Sequence, residues 1–179
     1  MIKKSKELRA PIIFIEENLK KDLIGAEVGV KHGDHAIQML EYLSIKHLYL
    51  IDIWSSWVLQ EKNEKYNYKE VPKNDYERII QRLKPYSNIT FIREESVKAA
   101  QQFKDATFDF IYIDGNHNCD SVLADLYVWE RKIKSGGVIC GHDYKWYNVK
   151  DAIDIYLKLH PRNIQNSDSV RGDWWWVVP

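Results

Sequence analysis

The sequence predicts an α/β fold, a largely parallel sheet with helices on both faces, closed at its end by an antiparallel hairpin. Three observations predict it. Short apolar runs alternate with amphipathic helical stretches along the chain, the signature of successive βαβ units. The segment Phe108 to Asp114, FDFIYID, is apolar at both parities, as expected of a strand covered on both faces. The turn Arg171-Gly-Asp173 leads into Trp174 to Val178, and chain reversal by so short a loop requires antiparallel pairing.

The 179 residues suit one domain over 1–179, with no composition shift that marks a linker. The 26 basic residues balance the 26 acidic ones, so no net field draws nucleic acid or an anionic membrane. Neither Cys119 nor Cys140 has a near partner in sequence, and two free thiols fit a reducing compartment. The apolar run Pro11 to Ile15 is too short for a signal core or a membrane span. A soluble cytoplasmic protein is expected. Seven Trp and eleven Tyr point to a ring-lined pocket for a small molecule.

Residues 1–22 form a helical lead whose stripe Ile12, Ile15 and Leu19 lies over the sheet or the site. Leu23 to Val30 is the first strand. After the break Lys31-His-Gly33, Asp34 is placed to cap a helix with Ala36, Ile37, Leu40 and Leu43 inward, leaving His32 and His35 on the surface. Strand, glycine turn and helix make a nucleotide-loop arrangement, in which backbone amides approach an anionic group at the helix start. His47 to Ile53 is the second strand. Its tip carries Asp52 about twenty residues after Gly33, where such folds place a carboxylate for ribose hydroxyls.

Residues 54–74 read as a polar and aromatic insertion over the mouth of the site. Asp75 is placed to cap a helix with Ile79, Ile80 and Leu83 inward, and Ile89 to Arg93 is the third strand. At its tip Ser96 caps a short helix with Val97, Ala100 and Phe103 inward, and its hydroxyl or a nearby amide is also placed to meet an adenine edge. FDFIYID is the fourth strand. Val122, Leu126, Trp129 and Ile133 then recur at helical spacing, and Lys134-Ser-Gly-Gly137 is expected to stop that helix, with Gly136 or Gly137 left-handed. Val138 to Gly141 is the fifth strand, ending in His142-Asp143-Tyr144. A right-handed crossover points both strands the same way, so Asp114, His117 and Asp143 gather at the carboxyl edge where ligands bind. A helix from Asn148 to His160-Pro161 precedes the hairpin.

This order, with EVGVKHG, LID, IDGNH, SGG and GHDY in place, resembles the class I S-adenosylmethionine-dependent methyltransferases from about Gly25 onward. IDGNH and GHDY are similar to the small-molecule O-methyltransferase-like group. The resemblance implies a Rossmann-like seven-stranded sheet of order 3-2-1-4-5-7-6 with strand 7 antiparallel. It implies S-adenosylmethionine as cofactor, met by Glu27, Gly29 and Gly33 at the methionine end, Asp52 at the ribose, Glu95 and Ser96 at the adenine, and Asp114 at the edge of the site. Lys31 departs from it, standing where a third glycine is commoner. Catechol-type relatives carry metal-binding carboxylates that Asp114 and Asp143 match, with Mg2+ or another divalent cation as the ion. His117 matches the base by offset, histidine replacing lysine, and Tyr144 stands where an Asn ligand would be.

Methyl transfer is an in-line displacement at a carbon already activated by the sulfonium, so the protein must align the acceptor and remove its proton. His117, with an ordinary pKa near ~6.5, suits that task at neutral pH, and Asp143 suits orienting it. Trp54, Trp57, Tyr144 and Trp146 are the expected pocket walls, and one of Trp174 to Trp176 is expected to join them. The leading expectation is O-methylation of a small organic acceptor, with no nucleic-acid or membrane partner and a homo-oligomer left open. Two alternatives are a binding protein that kept the fold without the chemistry and a nicotinamide-dependent oxidoreductase. The latter needs Gly-x-Gly-x-x-Gly, whereas Gly25, Gly29 and Gly33 are spaced by four.

Overall fold

The structure is a computed structural model and describes residues 8–19, 21–54 and 75–179. The expected insertion, apart from Trp54, lies outside those residues, as does Trp57. The strands are β1 (Leu23–Val28), β2 (Ile45–Asp52), β3 (Ile89–Arg93), β4 (Phe108–Ile113), β5 (Ile133–Gly141), β6 (Gln165–Asn166) and β7 (Trp174–Val177). They form one sheet of order β3-β2-β1-β4-β5-β7-β6. The first five are parallel, and β7 runs antiparallel to both β5 and β6. The sheet order and the direction of β7 agree with what the resemblance implies. The helices are α1 (Ala10–Asn18), α2 (Asp34–Tyr42), α3 (Asp75–Leu83), α4 (Ser96–Ala100), α5 (Cys119–Trp129) and α6 (Tyr147–Leu159).

Two apolar clusters cover the two faces. Alternate residues of the parallel strands divide between them, as the period of two requires: Ala26, Ile111 and Ile139 face Leu126, Trp129 and Ile153, while Phe110, Tyr112 and Val138 face Ile12, Met39 and Leu83. Trp174 and Trp176 lie in the first cluster and Trp175 in the second, and all three are buried. None of the three lines the principal cavity described below, against the expectation for one of them. Among the described residues no helix is long and apolar enough to cross a membrane.

Several expected boundaries move, each for a local reason. β1 ends at Val28 instead of Val30 because Gly29 is left-handed, with φ of 90°. A side chain there would lie 2.2 Å from the Asp114 carbonyl oxygen, so the first loop and the tip of β4 touch only because Gly29 has none. Gly33, also left-handed, is the residue before α2; Asp34 does not cap the helix, and its carboxylate takes a hydrogen bond from Arg82 at 2.6 Å. Glu95 stands before α4 in place of Ser96, and Val97 is exposed while Ala99 and Ala100 are buried. The crossover helix stops at Trp129, with a 3-10 turn over Glu130–Lys132, and Ile133 already belongs to β5. The helical spacing of Ile133 is therefore coincidental. Gly136, with φ of 82°, sits inside β5, where residues 134–137 oppose Asp109 alone between the pairs Phe108–Ile133 and Phe110–Val138.

Candidate active site

The carboxyl edge of the parallel strands carries the functional side chains: Asp52 ends β2, and Glu94, Asp114 and His142 directly follow β3, β4 and β5. At the tip of β2 the Asp52 carboxylate accepts hydrogen bonds from the Lys31 and Trp54 backbone N–H groups, both at 2.8 Å. Lys31 is left-handed, with φ of 50°, so it takes the conformation that makes glycine the commoner residue at this position. Asp52 holds it there. Each carboxylate oxygen has a further lone pair for a ligand.

A cavity of about 340 Å³ opens beside Asp52. Val28 and Gly29 form one wall, Ile51 to Ile53 and Glu94 to Val97 the floor, and Asn116, Asp120, Ser121, Ala124 and Asp125 the α5 side. Of the expected cofactor residues, Gly29, Asp52, Glu95 and Ser96 line it, while Glu27, Gly33 and Asp114 do not. Gly33 packs on Ile79, and a side chain there would meet its Cδ1 at 2.3 Å. Five lining residues are acidic, Asp52, Glu94, Glu95, Asp120 and Asp125, and none of the described ones is basic.

Glu27 is buried beneath the loop, its Oε1 3.1 Å from His35 Nδ1. Burial, then the nearby Asp114 charge, pushes the Glu27 carboxyl well up, and burial, then Arg9, pushes His35 down to about 3. Both shifts favour the uncharged form of each partner. Glu27 Oε2 and His35 Nε2 have no hydrogen-bond partner among the described residues. The expectation that His35 lies on the helix surface is wrong: it is 8% exposed, its ring 3.8 Å from that of Tyr112. Counting apolar residues missed it because the inward stripe of α2 is built from a histidine, Ala36 and Met39.

Asp114, His117 and Asp143 are brought together, with one donor atom from each within 4.8 Å of the others. His117 Nε2 lies 3.0 Å from Asp143 Oδ2 and 3.4 Å from Asp114 Oδ1, without the alignment of a directed hydrogen bond to either. Asp114 and Asp143 together hold the imidazole up to about 9. The expected near-neutral titration is thus displaced, because the ring sits between two carboxylates. At pH 7 it is an imidazolium. The Asp143 carboxyl is buried, which opposes ionisation, but His117 and His142 outweigh that and hold it low. His142 Nδ1 is 3.1 Å from Asp143 Oδ2. Asp143 itself is left-handed, with φ of 58°, an αL conformation that aspartate tolerates.

Of the expected walls, Trp146 stacks on the His117 ring, with centroids 5.7 Å apart and planes at 16°. Tyr144 packs at the edge of the first apolar cluster. Trp54 turns away into the second cluster, its ring 5.0 Å from Tyr76 and its indole N–H donating to the Lys31 carbonyl. Arg9 is a site neighbour that the sequence did not single out. Its Nη1 donates to Asp173 Oδ1 at 3.0 Å, where the Tyr112 hydroxyl also donates, and its Nη2 lies 4.0 Å from Asp114 Oδ2. Nothing in a lone basic residue of a basic lead signals that placement.

A seven-stranded sheet of this order, with an acid at the tip of β2 and a nucleoside-sized cavity beside it, defines the Rossmann-like class of methyltransferase folds. The chain belongs to the family described as a methyltransferase domain, whose pattern matches residues 26–144. It is an S-adenosylmethionine-dependent methyltransferase by that membership. No curated protein matches it in sequence. Among solved structures it is similar to a candidate caffeoyl-CoA O-methyltransferase from Staphylococcus aureus, at 14% identity and a TM-score of 0.71, over 100% of this chain and 86% of that one. It is also similar to an rRNA methylase from Streptococcus thermophilus, at 12% identity and a TM-score of 0.67, over 99% of both chains. A precorrin-6y C5,15-methyltransferase from Geobacter metallireducens aligns at 14% identity with a TM-score of 0.63, over 96% of this chain and 93% of that one. At such identities the likeness is one of fold.

Proposed function

We propose that the protein transfers the methyl group of S-adenosylmethionine to a hydroxyl of a small organic acceptor held against Asp114, His117 and Asp143. The observation that carries this reading is the clustering of those three groups, with His117 directly following Asn116, which lines the cavity. The acidic cavity supports a cofactor that carries positive charge and no phosphate. A dinucleotide would bring its pyrophosphate against carboxylates with no basic residue among the described lining to meet it, which counts against the nicotinamide alternative.

The carboxylates fit a hard divalent cation such as Mg2+: two of them, one buried, bring donor atoms within 4.8 Å of each other. Asp114 and Asp143 would hold the ion, and the ion would supply a lowered acceptor pKa. The chain's own groups do the rest. Asp143 and the stacked Trp146 fix the His117 ring, and His117 Nε2 would take the acceptor proton once the two carboxylate charges that hold the ring as an imidazolium are neutralised. The balanced charge of the chain favours a small acceptor over nucleic acid.

Calorimetric titration of the metal-stripped protein with S-adenosylhomocysteine and with NAD, then again with magnesium, tests the reading. S-adenosylhomocysteine alone should bind. Asp52→Ala should weaken that binding by about 10–100-fold, and His117→Ala should spare it while lowering turnover by about 10²–10⁴-fold. If neither ligand binds the wild-type protein, the cavity is not a cofactor site, and the binding-protein alternative takes its place.

A further inference from the structure

Two arginines flank the carboxylates of the site, and they are not equivalent. Arg9 is committed to the fold: its Nη1 donates to Asp173 Oδ1 at 3.0 Å, and its side chain is only 26% exposed. Arg171 is held more loosely. Its Nη1 stands 3.7 Å from Asp143 Oδ1, farther than a hydrogen bond reaches, and its side chain is 66% exposed. So long and exposed an ion pair contributes little to stability, and Asp143 already has His117 Nε2 at 3.0 Å and His142 Nδ1 at 3.1 Å from its other oxygen. The loop that presents Arg171 is nevertheless pinned to the end of β5. The Tyr144 and Lys145 backbone N–H groups donate to the Gly172 and Arg171 carbonyls at 3.1 and 3.0 Å. The Lys145 ammonium donates to the Asp168 and Ser169 carbonyls at 3.1 and 2.7 Å, and the Ser169 hydroxyl takes the Gly172 N–H at 3.1 Å. The backbone at Arg171 is thereby fixed relative to Asp143, and the guanidinium is kept at the rim of the site with most of its surface facing solvent.

We infer that Arg171 selects the acceptor, and that the acceptor carries a carboxylate in addition to the hydroxyl that is methylated. The inference deepens the small-acceptor reading and rests on it. His117 and Arg171 address the two oxygens of one carboxylate, that of Asp143, so a hydroxyl at His117 and an anion on Arg171 are separated by the span of a short scaffold such as one aromatic ring. The planar guanidinium matches a carboxylate with two parallel charge-assisted hydrogen bonds. A phosphate dianion fits less well, because it would bring two charges to a rim where Asp114 and Asp143 stand and one guanidinium offsets them. The acceptor carboxylate is an anchor only. No bond to it forms or breaks, and the methyl group goes to the hydroxyl oxygen.

The test is methyl transfer by the full chain, with magnesium present, from methyl-labelled S-adenosylmethionine to 3-hydroxybenzoate, 4-hydroxybenzoate and 3,4-dihydroxybenzoate, each beside its uncharged amide. The wild-type protein should prefer acid over amide in kcat/KM by on the order of 10–100-fold. Arg171→Ala should bring that ratio near unity by raising KM for the acids with little change in kcat, the mark of lost binding. Arg171→Lys, which keeps the charge without the fork, should retain part of the preference. The thermal midpoint of each variant is recorded as a check on folding, and a purely structural Arg171 would lower acid and amide turnover alike. Equal use of acid and amide by the wild-type protein overturns the inference while leaving hydroxyl methylation intact, and needs no variant. An unchanged ratio in a folded Arg171→Ala also overturns it. Label released by mild base would mark a methyl ester, making the carboxylate the acceptor and not the anchor, which overturns it too. If no compound is methylated by protein that binds S-adenosylhomocysteine, the small-acceptor reading itself fails and the inference falls with it.

Discussion

Glu27 and His35 show how one buried pair sets a pH dependence through its proton count. The Glu27 carboxyl is held well above its ordinary 4.5, so the folded state keeps a proton that the unfolded chain gives up as pH rises past that value. Its contribution to stability is present below 4.5 and is lost as pH rises toward the folded value. His35 is lowered from 6.5 to about 3, so the unfolded chain binds a proton there that the folded one refuses. That contribution grows as pH rises from about 3 to 6.5. Above 4.5, where both groups contribute, the two slopes oppose each other. Glu27→Gln, which keeps a neutral side chain of the same size, should therefore gain stability relative to wild type as pH rises from 4.5 toward the folded Glu27 value. Urea midpoints at several pH values check it, and a pH-independent difference between the two proteins would mean that Glu27 is ionised in the folded state.

At the scale of elements, the irregular stretch of β5 decides where Asp143 lands. Residues 134–137 loop outward opposite Asp109, whose carboxylate takes the Ile24 N–H at 2.8 Å and the Lys134 ammonium at 2.7 Å. The two glycines there do different things. A Cβ on Gly136 would meet nothing within 4 Å, so Gly136→Ala carries only the left-handed penalty of about 1–2 kcal/mol. A Cβ on Gly137 would lie 2.6 Å from the Asp109 carbonyl oxygen and 2.5 Å from Ile133 Cγ2, and Gly137→Ala should lose about 3 kcal/mol. Thermal unfolding of the two variants separates them, and equal losses would contradict the difference in packing. The same stretch marks the limit of what sequence makes legible. Apolar runs and strand-tip acids revealed the sheet, its hairpin and the meeting of Asp114, His117 and Asp143, because period and crossover hand are local or general rules. The SGG stretch looked like a helix end because a left-handed glycine serves a bulge and a cap equally well. Ser96 and Asp34 looked like caps because capping residues carry the same side chains as tertiary hydrogen-bond partners. Arg9 and His35 left no signal, since their roles depend on which distant element packs against them.

Across the whole molecule, the half of the sheet that carries Asp143 depends on one buried carboxylate. Glu130, in the turn after α5, accepts hydrogen bonds from the Tyr156 hydroxyl of α6, from the Trp176 indole N–H of β7 at 2.7 Å, and from Arg162 Nε and Nη2, both at 3.0 Å. β7 lies between β5 and β6, so it can pair only after the chain has passed through α6 and returned. Glu130 joins the parts that must meet at that step. Burial works against its ionisation, but Arg162, Tyr156 and Trp176 outweigh it, and its folded pKa falls below the ordinary 4.5. A depressed carboxyl contributes stability that is present above 4.5 and is lost as pH falls through the folded value. Glu130→Ala leaves the Trp176 N–H, the Tyr156 hydroxyl and the Arg162 charge without their acceptor, and should lower unfolding stability by about 3–5 kcal/mol at pH 7. The gap between wild type and variant should narrow as the pH is lowered through and below 4.5, because protonation then weakens the same contacts in the wild-type protein. Urea unfolding at pH 7 and below 4.5 measures both, and a gap under about 1 kcal/mol at pH 7, or one that widens in acid, would show that the β7 half of the sheet is held by its tryptophans alone.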